Sequence, residues 1–355
     1  MTVRVGFLGG GFIANYHGKM LHTSGADAEI VAVHDPDGAK AAGFAERSGA
    51  AIVGSEAEVI ERSDAVYVTT WTSEHPRLVA EVAAAGKAVF CEKPLATNVS
   101  EALDMVESVA RAGVTNQVGL VLRESPSFNL LRYLVRRPES GRVMAIVFRD
   151  DQYIPIQGQY ASTWRADADK AGAGTLLEHS IHDLDIIEWL AGPIREVTGR
   201  TSYFHEIDGI EDLAVANLAL ASGGVATLTS VWHDILSRPS LRRVEVFCER
   251  AMYVLEGDVL GPVRWTLDAA DGGTDEGSVA GDELVALLHT HGIRPRNPDE
   301  AFIEAVAAGR PADPDFHAAL RAHVLAEAIY RSASDAMGPG SVIAIPEGIP
   351  GTDWV

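Results

Sequence analysis

The sequence predicts an α/β domain built on a parallel sheet, followed by an α+β domain built on an antiparallel sheet. Three observations carry this. Short apolar runs alternate with Ala-rich helical stretches through the first third of the chain. The alternation then gives way to strand after strand separated by turns. The length, 355 residues, suits about two domains.

In order, Val3–Leu8 is an apolar run ending in glycines and reads as a buried strand. Ile30–Val33, Ala65–Thr69, Ala88–Cys91 and Thr115–Leu122 read as further strands. Between them Ile13–Leu21, Asp37–Arg47, Glu74–Ala85 and Ser100–Ala112 have helical character. Ser55 and Ser100, each followed by acidic residues, are the expected N-caps. Strands alternating with helices imply βαβ units and a parallel sheet. The regime changes near residue 122, so the expected domains are 1–122 and 123–355. The second has helices at Ser127–Arg136, Thr175–Leu190, Asp299–Ala308 and Phe316–Ser332. Its strands are Arg142–Asp151, Val197–Phe204, Leu213–Ala219, Val225–His233, Arg242–Phe247 and Met252–Leu255. Asp268–Gly281, rich in Gly, Asp and Ser, reads as an exposed loop.

Composition narrows the function classes. Lys and Arg number 29 against 50 Asp and Glu, a formal charge of −21. Neutralising phosphates needs the opposite balance, which argues against nucleic acid and anionic membrane surfaces as partners. Two cysteines, Cys91 and Cys248, give no disulfide framework. Cys91 reads as a buried strand residue. Met1–Gly11 lacks a basic n-region and a cleavage site, and no apolar run is long enough to span a bilayer. The expectation is a soluble, cytoplasmic protein.

Gly9-Gly10-Gly11-Phe12-Ile13-Ala14 fits G-x-G-x-x-A between a strand and a helix. Gly9 permits a tight turn, Gly11 lets the backbone approach a pyrophosphate on the helix N-terminus, and Ala14 allows close helix–sheet packing. Asp35 ends the second strand, 24 positions after Gly11, close to the spacing of an acid that holds a ribose 2′-hydroxyl. An aspartate there repels a 2′-phosphate, so NAD is favoured over NADP.

Gly86–Leu95 contains Glu92-Lys93-Pro94 at the carboxyl end of a strand, where parallel sheets bind ligands. Together with Gly9–Ala14 and Thr70–His75, this run resembles the glucose–fructose oxidoreductase / inositol dehydrogenase / MocA family of nicotinamide-dependent oxidoreductases. The resemblance extends to Trp164-Arg165, Gly172–Asp185, Ala301–Pro311 and Ala326–Ser334. It implies a Rossmann domain followed by a domain with a large, open, mostly antiparallel sheet. It implies that Lys93 is the active-site lysine, that Glu92 accompanies it at the cofactor ribose, and that His75 contacts the cofactor. It implies that Trp164 and Arg165 lie against the nicotinamide end. The resemblance places Thr70 and Trp71 among the cofactor contacts, though many relatives carry Thr-Pro-Asn where this chain has Thr70-Trp71-Thr72, a departure at the loop's nicotinamide contacts.

Glu178, His182 and Asp185 fall at i, i+4 and i+7 of the expected helix, on one face. The resemblance implies that Glu178, in a position usually held by Asp, and His182 form the catalytic set with Lys93. Gly172 and Gly174 would let the backbone approach a ligand. Hydride transfer from a hydroxyl needs a base with a pKa near neutrality, which suits His182. Lys93 as a cation would stabilise the developing alkoxide, and Glu178 would orient the imidazole or a sugar hydroxyl. Arg123, Asp151, Tyr153, His179 and His233 are the candidate substrate contacts, with Arg149, Asp150, Gln152, Asp183 and His205 nearby, a polar set suited to a carbohydrate. Glu178, His179, His182 and His205 show no metal-ligand spacing, so no metal is expected.

The expected activity is NAD-dependent oxidation of a secondary hydroxyl of a sugar, polyol or cyclitol. The alternatives are an NAD-dependent glycosidase that oxidises its sugar transiently, and a non-catalytic NAD-binding regulator. The open sheet, with Val225–His233 alternating across it, and the family's habit point to a homodimer or homotetramer.

Overall fold

The structure, a computed structural model, describes residues 2–268, 272–334, 336, 338, 340–346 and 348. They form two compact units. The first gathers Met1–Leu120 with Asp169–Gly172 and Arg296–Leu320; the second gathers Val121–Ala168, Ala173–Pro295 and Arg321 onward.

The first unit begins β1 (Val3–Leu8), α1 (Phe12–Thr23), β2 (Ala28–His34), α2 (Gly38–Ser48), β3 (Ala51–Ile52) and α3 (Glu56–Arg62). It continues β4 (Ala65–Val68), α4 (His75–Ala84), β5 (Ala88–Cys91), α5 (Val99–Ala112) and β6 (Asn116–Val118). All six strands are parallel, in the order β3-β2-β1-β4-β5-β6. The continuous apolar runs are explained by burial on both faces: every residue of β4 and β5 is buried. Asp37 and Ser55 cap their helices by accepting from Ala39 N and Glu58 N. The cap of α5 is Asn98, which accepts from Glu101 N; the expected cap Ser100 lies in the first turn instead. The strand expected over Thr115–Leu122 shortens to β6, and Val121–Glu124 winds into a 3-10 turn. The strand order reverses between β1 and β4, and a sheet of this kind takes ligands at the carboxyl ends of those strands.

The second unit contains α6 (Pro126–Val135) and β7 (Val143–Tyr153); of the single turn α7 (Ala168–Ala171), Ala168 counts with the second unit and the rest with the first. It continues with α8 (Thr175–Glu178), α9 (Ile181–Ala191), β8 (Ile194–Ser202), β9 (Leu213–Leu220), β10 (Val225–His233), β11 (Leu241–Cys248), β12 (Ala251–Glu256), β13 (Val263–Asp268), β14 (Thr274–Val279) and α10 (Gly281–Thr290). Helix α11 (Pro298–Ala308) belongs to the first unit and adds Phe302, Ile303 and Ala305 to its core. Helix α12 (Phe316–Ala333) and β15 (Ile343–Ala344) complete the described elements.

The sheet runs β14-β13-β12-β11-β7-β10-β9-β8-β15. Only β7–β10 pairs parallel among the described strands. One face packs under α6, α8 and α9 around Phe148, Ile186 and Leu228. Alternate residues on the other face, among them Val147, Val215, Val225 and Phe247, are exposed. Part of the expected loop Asp268–Gly281 is strand β14, whose register with β13 is carried by backbone pairing rather than by apolar side chains; residues 269–271 lie outside the described residues. Among the described residues no helix is long and apolar enough to cross a membrane.

The expected single helix over Thr175–Leu190 is broken. His179 leaves helical geometry at φ −120°, and both His179 N and Ser180 N donate to Thr175 O. The break is held from the sheet: Ser230 Oγ lies 2.7 Å from Thr175 Oγ1 and 2.6 Å from Ser180 Oγ. Glu178 and His182 therefore stand on two helices, and the single-face spacing that linked them does not hold.

Candidate active site

In the first unit the glycine loop is fixed from several sides. Gly9 has φ 97°, and a Cβ on it would come within 2.7 Å of the Thr69 carbonyl oxygen. Gly10 N donates to Asp35 Oδ2 at 2.8 Å, and Asp37 N donates to Asp35 Oδ1 at 2.8 Å. Asn15 Nδ2 donates to the carbonyls of Gly11 and Gly10. Gly11 is different: a Cβ built on it meets nothing within 4 Å. It stands at the N-cap of α1 with no side chain capping the helix. The loop thus offers open space over a helix N-terminus, the setting a pyrophosphate needs. Asp35 retains lone pairs for ribose hydroxyls, since each carboxylate oxygen accepts more than one hydrogen bond. These residues fit NAD. Phe12 is exposed and Ile13 half-buried at the first turn of α1.

The neighbouring loops are braced. Thr69 Oγ1 donates to Leu8 O and Gly9 O, tying β4 to β1. His75, expected at the cofactor, is buried with its ring between two carbonyls, Pro94 O at 3.0 Å and Thr70 O at 3.3 Å. It holds the Thr70 and Lys93–Pro94 turns to each other. Trp71 is exposed, with the Lys170 ammonium 5.0 Å from its ring centre.

Glu92 is buried at the end of β5, below Lys93. Its Oε1 lies 2.9 Å from His17 Nε2, and its Oε2 accepts from Lys93 N at 3.1 Å. Burial alone would raise this carboxyl, but the His17 ring and Lys93 outweigh it and hold Glu92 below the usual range. Glu92, expected at the ribose, is thus engaged with His17 and its own turn. The sequence gives no sign of His17 and Asp299 beside Glu92: Asp299, whose Oδ1 lies 2.7 Å from His17 Nδ1, is 282 positions away from it in sequence.

In the second unit, His182 is buried on the first turn of α9. Glu178 is buried at the end of α8, and its Oε2 accepts from Arg165 Nε at 2.9 Å. The Arg165 guanidinium stacks 4.4 Å from the Trp164 ring centre. Trp164, Arg165 and Glu178 therefore form one contiguous wall.

The glycines before α8 serve packing. A Cβ on Gly174 would fall 1.8 Å from the Glu211 carbonyl oxygen, and one on Gly172 would fall 2.8 Å from Thr97 Cα. The expected ligand approach is replaced by close backbone approach. Glu211 caps α8, accepting from Gly174 N and Leu176 N.

Several candidate substrate contacts are occupied. Arg123 grips Asp185 with Nε 2.9 Å from Oδ2 and an Nη 2.6 Å from Oδ1. His179 Nε2 lies 2.9 Å from Asp150 Oδ2. Buried Arg242 reaches Asp150 at 2.9 Å, Asp183 at 2.7 Å and Asp258 at 2.8 Å. Burial first, then the Asp150 carboxylate, pushes Asp183 up to about 8, against the pull of Arg242. Asp151 is ringed by Arg149 at 3.1 Å, Arg238 and His233 at 3.6 Å. Against the cost of burial, Arg238 and Arg149 hold it below its ordinary value. Tyr153 lies with its ring 5.5 Å from Tyr160. His205 sits between Asp212 at 2.6 Å and Asp234 at 3.2 Å. Among the described residues, no group of three or more His, Cys, Asp or Glu is arranged to hold a metal ion.

Comparison with known proteins agrees with this geometry. The family model "Oxidoreductase family, NAD-binding Rossmann fold" matches residues 3–120, and "GFO/IDH/MocA C-terminal domain" matches residues 128–254. Inositol 2-dehydrogenase 3 of Saccharopolyspora erythraea is 37% identical over 194 residues, and that match spans 54% of each chain, about half the relative's length. The scyllo-inositol 2-dehydrogenase (NAD(+)) of Bacillus subtilis is 32% identical over 247 residues, 66% of this chain and 70% of that one. A levoglucosan dehydrogenase in complex with NADH shares the fold, with a TM-score of 0.84 at 19% identity over 98% of this chain and 100% of that one. The glycine loop, the Lys93 turn and both domain matches lead to one assignment: the chain belongs to the GFO/IDH/MocA oxidoreductases, whose first domain is an NAD-binding Rossmann fold.

Proposed function

We propose that this protein is an NAD-dependent dehydrogenase acting on a secondary hydroxyl of a sugar, polyol or cyclitol. The observation that carries the reading is Lys93 on a turn fixed by Glu92, in the same unit as a glycine loop with open space at Gly11. Two relatives named for inositol oxidation support the substrate class.

When bound, NAD supplies the acceptor for the hydride leaving the carbinol carbon. His182 takes the hydroxyl proton as the C–H pair departs, leaving a carbonyl. The Lys93 ammonium stabilises the negative charge growing on the oxygen. Glu178, paired with Arg165, holds the wall beside Trp164 in place. Asp35 accepts from the ribose hydroxyls and disfavours a 2′-phosphate. We assign the exposed face of the second unit's sheet to self-association into a dimer or tetramer. Its Phe247–Ala145–Val225–Ala219 row is apolar and aligned by strand register.

The test is a panel of cyclitols, free sugars and chromogenic glycosides with NAD and with NADP, following reduced nicotinamide and aglycone release. Reduced cofactor accumulating with a cyclitol or sugar, faster with NAD, and lost in Lys93→Met, is expected. Aglycone release without net reduction replaces this reading with a glycosidase. Full turnover in Lys93→Met removes the lysine from the mechanism.

A further inference from the structure

The first unit holds a buried ionic chain that the proposed chemistry does not use. His17 is fully buried on α1, six residues after Gly11. Its Nδ1 faces Asp299 Oδ1 on α11 at 2.7 Å, and its Nε2 faces Glu92 Oε1 at 2.9 Å. Phe90 and Tyr67 pack on the ring, with centroids at 4.9 Å and 5.6 Å, and Tyr16 lies edge-on at 5.6 Å. A phenylalanine would fill such a core without the cost of burying charge. The ring does something a phenylalanine cannot: it bridges two carboxylates.

We infer that His17 is a positioning residue for Lys93: its ring ties the Glu92 carboxylate to α1, and Glu92 fixes the turn that presents the Lys93 ammonium. This deepens the reading above and rests on Lys93 serving the reaction.

Three observations support the inference. The Glu92 oxygens are divided, Oε1 to His17 and Oε2 to Lys93 N, so the carboxylate joins helix to turn. Glu92 has no room opposite: a Cβ on Gly119 would lie 2.5 Å from its Oε1. The ring is also held charged. Burial works against the imidazolium, but Asp299 and Glu92 outweigh it and lift His17 to about 10. The other titratable groups facing it or its partners are Tyr67, which burial and Asp299 hold well above its ordinary value, Tyr16, raised by burial and by Asp299 and Glu92, the buried Cys91 thiol, and Lys93. Without the ring, a buried Glu92 would keep Lys93 as its nearby cation and draw the ammonium from its working position.

The chain has only five lysines, Lys19, Lys40, Lys87, Lys93 and Lys170, so each can be followed after reductive methylation with 13C-formaldehyde. The Lys93 resonance is the one missing from Lys93→Met. In His17→Gln, Glu92→Gln and the double variant the Lys93 signal is expected to move while the other four stay. The double variant should shift no further than the larger single. Asp299→Asn, which leaves a hydrogen-bond acceptor for Nδ1 but removes the charge, should move the same signal in the same direction, and it carries the test if His17→Gln does not fold. A Lys93 resonance unchanged in these variants, or single shifts that add in full, overturns the inference. This readout needs no turnover, so it is separate from the Lys93→Met activity test, whose failure would overturn the parent reading instead.

Discussion

Replacing Gly11 with alanine separates cofactor binding from folding. Gly11 lies at φ −73°, ordinary for any residue, and an added Cβ meets nothing within 4 Å. No packing contact is lost, and the gain of about 0.4–1 kcal/mol from restricting the unfolded chain is offset by the poorer helix cap that alanine makes, so the apoprotein's stability changes little. Binding moves the other way. The open space is where a pyrophosphate would rest on α1, and a methyl group there holds it off the backbone N–H groups. The assay is thermal melting with and without NAD. At roughly a hundred times the wild-type Kd, NAD stabilises a single site by about 2.7 kcal/mol. At the same NAD concentration, a site weakened roughly a hundredfold keeps only about 0.4 kcal/mol. The variant should therefore melt close to wild type alone and lose most of its NAD-induced shift. Gly9→Ala should behave differently, because φ 97° and the 2.7 Å approach to Thr69 O put the damage in the fold itself. That substitution costs about 1–3 kcal/mol before any ligand is added. A full NAD-induced shift in Gly11→Ala would refute the loop as the cofactor's seat.

Three further expectations follow from single residues. Asp35→Asn keeps an acceptor for Gly10 N or Asp37 N but removes the charge, so the NAD-to-NADP ratio of kcat/KM should fall at least tenfold, a change of about 1.4 kcal/mol; an unchanged ratio removes Asp35 as the discriminator. Asp183 has a folded pKa raised to about 8, so its contribution to stability is full below the unfolded value near 4 and is lost as pH rises through 8. Asp183→Asn mimics the protonated form, so the wild type should lose stability relative to it as pH rises from 4 to 9; parallel melting curves over that range contradict the raised Asp183 carboxyl. Phe247→Glu puts a charge into the apolar row of the sheet's exposed face and should yield monomers by light scattering, whereas an unchanged mass places any interface elsewhere.

The fold was legible where local signals and burial agree. Val3–Leu8 and Ala88–Cys91 match their strands because a parallel sheet covered on both faces requires continuous apolar runs. Ser55 was recognisable as a cap because capping is local. The broken helix was not legible. Thr175–Leu190 is a good helical pattern, and the chain is interrupted only because Ser230, on a strand some fifty residues later, pins Thr175 and Ser180. Gly174 misled for a related reason. A glycine before a helix signals close approach, but the sequence does not say what approaches, and here it is the Glu211 backbone.

The site shows the same division by distance. Gly9, Gly11 and Asp35 read together from the sequence because the loop and its acid lie within one βαβ unit, and the hydrogen bond from Gly10 N to Asp35 spans only 25 positions. In the sequence the polar residues of the second unit suggest one carbohydrate pocket, because sequence does not reveal which charges neutralise each other. Arg123 is committed to Asp185, and Asp150 is shared between His179 and Arg242. A buried carboxylate without a cation costs several kcal/mol, so a chain with this many interior acids must place an Arg or His beside most of them. Polar residue types near an expected pocket therefore overstate the number free to meet a substrate. The side chains that bind it are better sought where no such neutralisation is demanded. The same logic hides His17 from the sequence: its carboxylate partners stand 75 and 282 positions away, and only the fold brings the three together.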